Sequence, residues 1–146
     1  ICVNGRKELV GANVVVPGDL SSAAFFIALG LICPGLSLTL KNIGMNPTRA
    51  AIVDVFKQMG GDIQISAIKE GVEPYADINV RSSSLNNIDI PNDVMAYIID
   101  EIPILSVVSM FASGKMTIAS SFLNNWAHWL KTTSLFAKDF RPSRIL

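Results

Sequence analysis

Asp100 and Glu101 are the only charged residues between Met95 and Ala112, in a run that is otherwise almost wholly apolar. A carboxylate in such a run loses solvation, so it must be paired, be protonated or face a cleft, and each of these suits a proton-transfer group. The competing reading is structural: the pair marks the wet edge of a helix, or Pro103 breaks that helix and leaves Asp100 in a loop. Asp19-Leu20-Ser21-Ser22 opens another apolar run with a carboxylate and two hydroxyls. That pattern caps a helix and, less often, binds an anion at a helix N-terminus. The preceding Pro17-Gly18 lacks the spacing of a phosphate-binding loop. Arg49, in Asn46-Pro47-Thr48-Arg49, falls in the first turn of a helix, where a cation opposes the macrodipole. It is either a surface arginine or one held there by an external anion. His128, the single histidine, has no cysteine or carboxylate at ligand spacing, so no metal site is expected. Cys2 and Cys33 match no metal or redox motif and read as reduced, buried, structural thiols.

These residues need elements to place them. Asn13-Val14-Val15-Val16 is a short β-branched run closed by Pro17-Gly18, after which Asp19 or Ser21 caps a helix over Ser22 to Cys33. Pro34-Gly35 stops that helix, and Leu36-Ser37-Leu38-Thr39-Leu40 alternates with the period of a half-buried strand. Beyond Gly44, Asn46 or Thr48 can cap a second helix, in which Ile52, Val53, Val55, Phe56 and Met59 recur at helical spacing before Gly60-Gly61. Asp62 to Ser66 and Ala76 to Val80 then read as two strands, joined by a loop holding Gly71 and Pro74. The expected order is β-α-β-α-β-β.

The same unit starts again with strand Ile88-Asp89-Ile90, one helix over Met95 to Ala112, Gly114 as its stop and strand Met116-Thr117-Ile118. Asp19, Gly35 and Leu38-Thr39-Leu40 correspond to Asp100, Gly114 and Met116-Thr117-Ile118 at offsets of about eighty residues, which fits a repeated supersecondary unit. Two such apolar helices are expected to be buried against sheets on more than one side. From Ser120 the character changes. Phe122, Trp126, Trp129, Leu130 and Phe136 fall at helical spacing among Lys131, Lys138, Arg141 and Arg144. That tail reads as an amphipathic helix that docks on the domain, serves a membrane surface or partner, or is foreign to the fold.

Composition narrows the classes. With 50% apolar residues, 16% charged residues and zero net charge, the chain forms a core without offering a polyanion a field, so nucleic acid is not an expected partner. The best candidate for a membrane span, Ala23 to Cys33, is too short for a bilayer about 30 Å thick. The N-terminus has neither a starting Met nor the order of a secretory signal, which suggests a piece of a longer cytoplasmic protein.

Five ordered blocks across residues 10 to 119 resemble the 5-enolpyruvylshikimate-3-phosphate synthase family of 3-phosphoshikimate 1-carboxyvinyltransferases. They are Val16-Pro17-Gly18-Asp19-Leu20-Ser21-Ser22-Ala23-Ala24-Phe25-Phe26, Asn42-Ile43-Gly44-Met45-Asn46-Pro47-Thr48-Arg49, Met59-Gly60-Gly61-Asp62-Ile63, Val80-Arg81-Ser82-Ser83 and Ile99-Asp100-Glu101-Ile102-Pro103-Ile104-Leu105. The related UDP-N-acetylglucosamine enolpyruvyl transferases differ after the Pro-Gly-Asp. The resemblance implies an α/β (α+β) fold of repeated β-α-β-α-β-β units, two lobes of three units each. Residues 1–119 then make about one and a third units of the C-terminal lobe, and 120–146 form a divergent tail. It also implies the reaction: the 5-hydroxyl of shikimate 3-phosphate attacks phosphoenolpyruvate, a tetrahedral intermediate forms and phosphate leaves, with no metal or organic cofactor.

In that family an aspartate of the Ile-Asp-Glu-Ile-Pro block contacts shikimate phosphate and serves in proton transfer, which makes Asp100 the catalytic and substrate-binding candidate. Glu101 and Arg49 are further substrate-binding candidates. Asn46-Pro47-Thr48-Arg49 also matches a motif of the glyphosate-tolerant class. The family continues its Thr-Ile strand with Glu-Leu-Arg-Val-Lys-Glu-Ser-Asp-Arg, whereas this chain runs Asn125-Trp126-Ala127-His128-Trp129-Leu130-Lys131, so those roles do not transfer. The N-terminal lobe and the C-terminal arginines and lysine of the family have no counterpart here either. The chain is therefore expected to be a truncated portion of such an enzyme, inactive alone. The alternative is a non-enzymatic module that self-associates, without a membrane, through the unfinished repeat or the tail.

Overall fold

The computed structural model describes Gly5, Val10, Gly11 and residues 13–118. Helix α1, Leu20–Ile32, starts where Asp19 leaves helical geometry and its carboxylate accepts the Ser22 N–H at 2.8 Å. Leu20, Ala23, Ala24, Ile27, Ala28 and Leu31 recur at helical spacing and are buried. Among the buried positions Ala23, Ala24, Ala28 and Gly30 are small, and at Gly30 the helix lies against Val80 of the sheet. Gly35, at φ +74°, then reverses the chain at no steric cost and donates its N–H to the Ser82 hydroxyl at 3.0 Å.

The chain then builds a three-stranded antiparallel sheet from β1 (Ser37–Gly44), β2 (Asp62–Ile65) and β3 (Tyr75–Arg81), in the order β1-β3-β2. Along β3, Ala76, Ile78 and Val80 alternate inward and are fully buried. Helix α2, Ala51–Gln58, is amphipathic, and buries Ile52, Val53, Val55 and Phe56. Helix α1 rests on β1 and β3, and α2 on β2.

A β-bulge in β1 sets up the site. Leu40 pairs with Ile78 and Ile43 with Ala76, so Lys41 and Asn42 together face Asp77. Asn42 takes φ +53°, in the left-handed region that asparagine tolerates better than most residues. The Asp77 carboxylate holds the bulge, accepting the Asn42 N–H and the Lys41 ammonium, each at 2.9 Å. The exposed Asn42 carbonyl then accepts the Gly18 N–H at 2.7 Å, and the Gly18 carbonyl accepts the Gly44 N–H at 2.9 Å.

The second unit comprises β4 (Asp89–Ile90), α3 (Asn92–Ile98), a 3₁₀ turn (Ile99–Glu101), α4 (Ile102–Phe111) and β5 (Thr117–Ile118). β4 and β5 pair in parallel across the helices, as Gly18 and Ile43 do across α1. Gly114 closes α4 at φ +84°, the counterpart of Gly35. The repeat is thus present in topology, with α3 as an added helix. Asn87 seals the end of α4, its amide nitrogen donating to the Ser109 and Gly114 carbonyls at 3.1 Å. Helix α3 packs on α2, and α4 on α1.

Several expectations need correction. Val14, Val15 and Val16 form no strand and are 53–82% exposed, because among the described residues the only pairing in this stretch is the bridge from Gly18 to Ile43. A β-branched run without a partner edge has no ladder to join. The order from residue 20 is therefore α-β-α-β-β. The single helix over Met95 to Ala112 is two helices, since Pro103 has no N–H to donate to Ile99 and its ring would strike that carbonyl in a continuous helix. Cys33 is half-buried rather than buried, and Cys2 lies outside the described residues, as does the 120–146 tail with His128. Helix α1 is covered by the sheet and α4, yet Phe25, Phe26 and Leu29 remain exposed. The segment with the length and composition to cross a membrane is Asn92–Phe111, not Ala23 to Cys33. It is interrupted by the turn with its two carboxylates and packs as core helices on α1 and α2.

Two outcomes follow from this packing. A Cβ on Gly30 would stand 2.9 Å from Cγ1 of the fully buried Val80. Overpacking costs about 1–3 kcal/mol and alanine's helix propensity returns about 1 kcal/mol, so Gly30→Ala is expected to be destabilised by about 1 kcal/mol in urea unfolding. An unchanged midpoint would mean that Val80 gives way. Asp77 is held below the ordinary carboxyl value of 3.8, first by the Asn42 N–H and then by Lys41. A lowered folded-state value gives stability that is complete above pH 3.8 and lost as the pH falls through the folded value. Asp77→Asn is thus expected to melt below the parent at neutral pH, with the gap closing under pH 3.8. A gap constant across pH would assign the loss to something other than the carboxylate charge.

Candidate active site

The bulge fixes where α1 begins. With Gly18 clamped on β1, Asp19 follows at the helix entrance, and its Oδ2 accepts both the N–H and the hydroxyl of Ser22 at 2.8 Å. These two hydrogen bonds, and to a lesser degree the Arg49 guanidinium, lower the Asp19 pKa against a small opposing effect of burial. Of the two caps the sequence allowed, Asp19 serves and Ser21 is released for another partner.

Arg49 reaches Asp19 from the far side. Asn46 folds its side chain back on Thr48, accepting the backbone N–H at 3.1 Å and the hydroxyl at 2.8 Å, and its carbonyl accepts the Arg49 and Ala50 N–H groups. This turn precedes α2, whose own N-cap position, Ala50, has no side-chain cap, so Asn46 organises the approach rather than the helix end. Arg49 Nη1 stands 3.3 Å from Asp19 Oδ1, with both side chains largely exposed. Arg49 therefore lies in the turn before α2 and not in the first turn of the helix as expected, and the anion it meets is Asp19 of the same chain. An ion pair so exposed contributes little stability, and the guanidinium keeps donors free for a further anion.

The two acidic candidates diverge. Asp100 is exposed in the 3₁₀ turn, which fits the reading in which Pro103 breaks the helix and not the one of a carboxylate desolvated within it. Glu101 is the buried one at 6% exposure, and its Oε1 accepts the Ser21 hydroxyl at 2.5 Å. Sequence reasoning did not find Ser21 as that partner, because the two lie 80 residues apart.

These groups meet at one cavity of about 270 Å³. Ser21 comes from α1, Thr48 and Arg49 from the turn before α2, Ala96 and Tyr97 from α3, and Ile99, Asp100 and Glu101 from the 3₁₀ turn. The structure therefore brings all three candidates, Asp100, Glu101 and Arg49, to one place. Tyr97 was not foreseen, and nothing in the sequence distinguished it from a core aromatic. The cavity combines one cation, the solvent-facing Asp100 carboxylate, the buried Glu101 carboxylate and three hydroxyls, from Ser21, Thr48 and Tyr97, groups able to bind a small, oxygen-rich molecule. Among the described residues, no three His, Cys, Asp or Glu side chains are grouped to hold a metal ion.

Comparison with known proteins gives the family of the chain. The family model of EPSP synthase (3-phosphoshikimate 1-carboxyvinyltransferase) matches residues 1–129. The chain belongs to the EPSP synthase family. The 3-phosphoshikimate 1-carboxyvinyltransferase of Geobacillus kaustophilus (strain HTA426) is 46% identical over 119 residues, 81% of this chain and 28% of that protein. That of Citrifermentans bemidjiense is 48% identical over 117 residues, 80% of this chain and 27% of that protein. A solved EPSP synthase from Acinetobacter baumannii superposes with a TM-score of 0.79 at 35% identity, over 88% of this chain and 30% of that one. The mixed α/β architecture is thus that of the EPSP synthase family, and the chain spans little more than a quarter of the length of these curated relatives.

The cap at the mouth of the cavity can be tested by stability. Asp19→Ala is expected to cost about 1 kcal/mol in chemical denaturation, and Asp19→Asn, which still accepts from Ser22, a few tenths. Equal losses in the two variants would show that the charge facing Arg49, not the cap, is what matters.

Proposed function

We propose that this chain supplies one wall of an enolpyruvyl-transfer site, as part of the C-terminal lobe of a 3-phosphoshikimate 1-carboxyvinyltransferase. The observation that carries the reading is the helix break, which presents Asp100 to the cavity that Arg49 also lines. In the reaction the 5-hydroxyl of shikimate 3-phosphate adds to C2 of phosphoenolpyruvate as the methylene carbon gains a proton. Phosphate is then lost from C2 of the tetrahedral intermediate as the new methyl group gives up a proton, which restores the carbon–carbon double bond. Asp100 takes the hydroxyl proton, which requires a carboxylate within hydrogen-bond reach of the substrate oxygen. Arg49 offsets the charge of a phosphate or carboxylate group entering the cavity.

Both substrates are polyanions, and a single wall cannot position them or keep water away, so transfer needs a facing lobe. Residues 1–119 are assigned to the lobe and 120–146 to a tail with its own character, although the family match itself runs to residue 129. Asn46-Pro47-Thr48-Arg49 supports placing the protein in the glyphosate-tolerant class, and the reading carries a cytoplasmic location with it. A second reading, self-association without turnover, is favoured by the exposed Phe25, Phe26 and Leu29 on α1.

In the full-length polypeptide to which this lobe belongs, Asp100→Ala is expected to lower kcat by about 10²- to 10⁴-fold, the usual worth of a positioned acid or base. Its melting temperature should hold, because Asp100 is exposed. Full phosphate release by that variant would remove Asp100 from the chemistry. For the chain by itself, sedimentation at rising concentration, run beside a phosphate-release assay with both substrates, separates the two readings.

A further inference from the structure

We propose that Glu101 is a positioning residue, anchored by Ser21, that sets the direction in which Asp100 faces; this rests on the reading of Asp100 above. Glu101 is the single charged residue among the buried side chains of the described core. A carboxylate taken out of water needs a partner, and the partner here is the Ser21 hydroxyl. Ser21 is itself held on both sides. Asp19 caps the turn in which it sits, and Gly18 clamps the approach to β1.

Geometry converts that anchor into orientation. A 3₁₀ turn has three residues per revolution, so neighbouring side chains point about 120° apart. With Glu101 drawn inward to Ser21, Asp100 must face outward, into the cavity. Ile98 and Ile102, both buried, hold the turn against the core, but apolar contact is non-directional and does not fix its rotation. A hydrogen bond does. With its Oε1 held by Ser21, Glu101 acts in this proposal through the direction it gives Asp100.

The test uses the full-length polypeptide with Ser21→Ala, Glu101→Gln and Asp100→Ala. Ser21→Ala should lower kcat by about ten- to a hundredfold, the usual consequence of a misplaced catalytic group, with KM for both substrates within about twofold. Glu101→Gln, whose amide oxygen still accepts from Ser21, should stay within about threefold of the parent. Unchanged kcat in Ser21→Ala beside an inactive Asp100→Ala would overturn the positioning role and leave the proposed function standing. A Glu101→Gln loss as deep as that of Ser21→Ala would also overturn it, since the charge and not the anchor would then matter. An active Asp100→Ala would instead bring down the proposed function. In the present chain without substrate, amide exchange at Ile99 to Ile102 should rise about tenfold or more in Ser21→Ala, with β3 unchanged, as expected for local opening. Equal exchange in parent and variant would count against the anchor whatever the kinetics.

Discussion

Gly18 is held to the bulge of β1 by two backbone hydrogen bonds, and the site downstream depends on that clamp. The bulge turns the Asn42 carbonyl outward, and the Gly18 N–H meets it at 2.7 Å. One residue after Gly18 Asp19 caps α1, three residues after it Ser21 reaches Glu101, and Arg49 closes on Asp19 from the turn before α2. A side chain at position 18 would crowd this contact, since a Cβ there would stand 3.0 Å from Ile43 Cδ1. The clamp is made of backbone, so it fixes the start of α1 without depending on a particular rotamer.

Energetically the fold separates duties. Burial of Ile27, Leu31, Ile52, Phe56, Ile78, Val80, Ile98 and Leu105 supplies the non-directional driving force that joins α1, α2, the sheet and α4 into one core. Polar contacts are few and lie mostly at its margins, at Asp77 under the bulge, Asp19 at the helix entrance and Asn87 at the end of α4. Each satisfies backbone groups that regular hydrogen bonding leaves over. The Ser21–Glu101 pair differs from these, with a buried acidic side chain beside the cavity.

Much of the architecture was legible in the sequence because it is periodic. The buried positions of α1 and α2 follow helical spacing, β3 alternates strictly, and Gly35 and Gly114 both close helices with positive φ. Features that depend on distant partners were not legible. The Val14 to Val16 run has strand composition, but composition supplies no edge to pair with. The Asp100-Glu101 pair showed where ionisable groups interrupt an apolar run, and Pro103 showed that a break was possible. Which carboxylate turns inward depends on the rotational phase of the turn after the break, and on a serine 80 positions away. The role of Arg49 was half legible: a cation near a helix start called for an anion, but the sequence neither placed it in the turn before α2 nor said which anion it meets.

The turn at Ile99–Glu101 links two helices anchored on different supports, α3 on α2 and α4 on α1. Because neighbouring residues of a 3₁₀ turn differ by a third of a revolution, inserting or deleting one residue would exchange the directions of adjacent side chains. A carboxylate now in water would be driven into the core, and one now satisfied would be expelled. Length, more than composition, is therefore the property this segment has to conserve: conservative substitutions leave its phasing intact, and a single-residue indel does not.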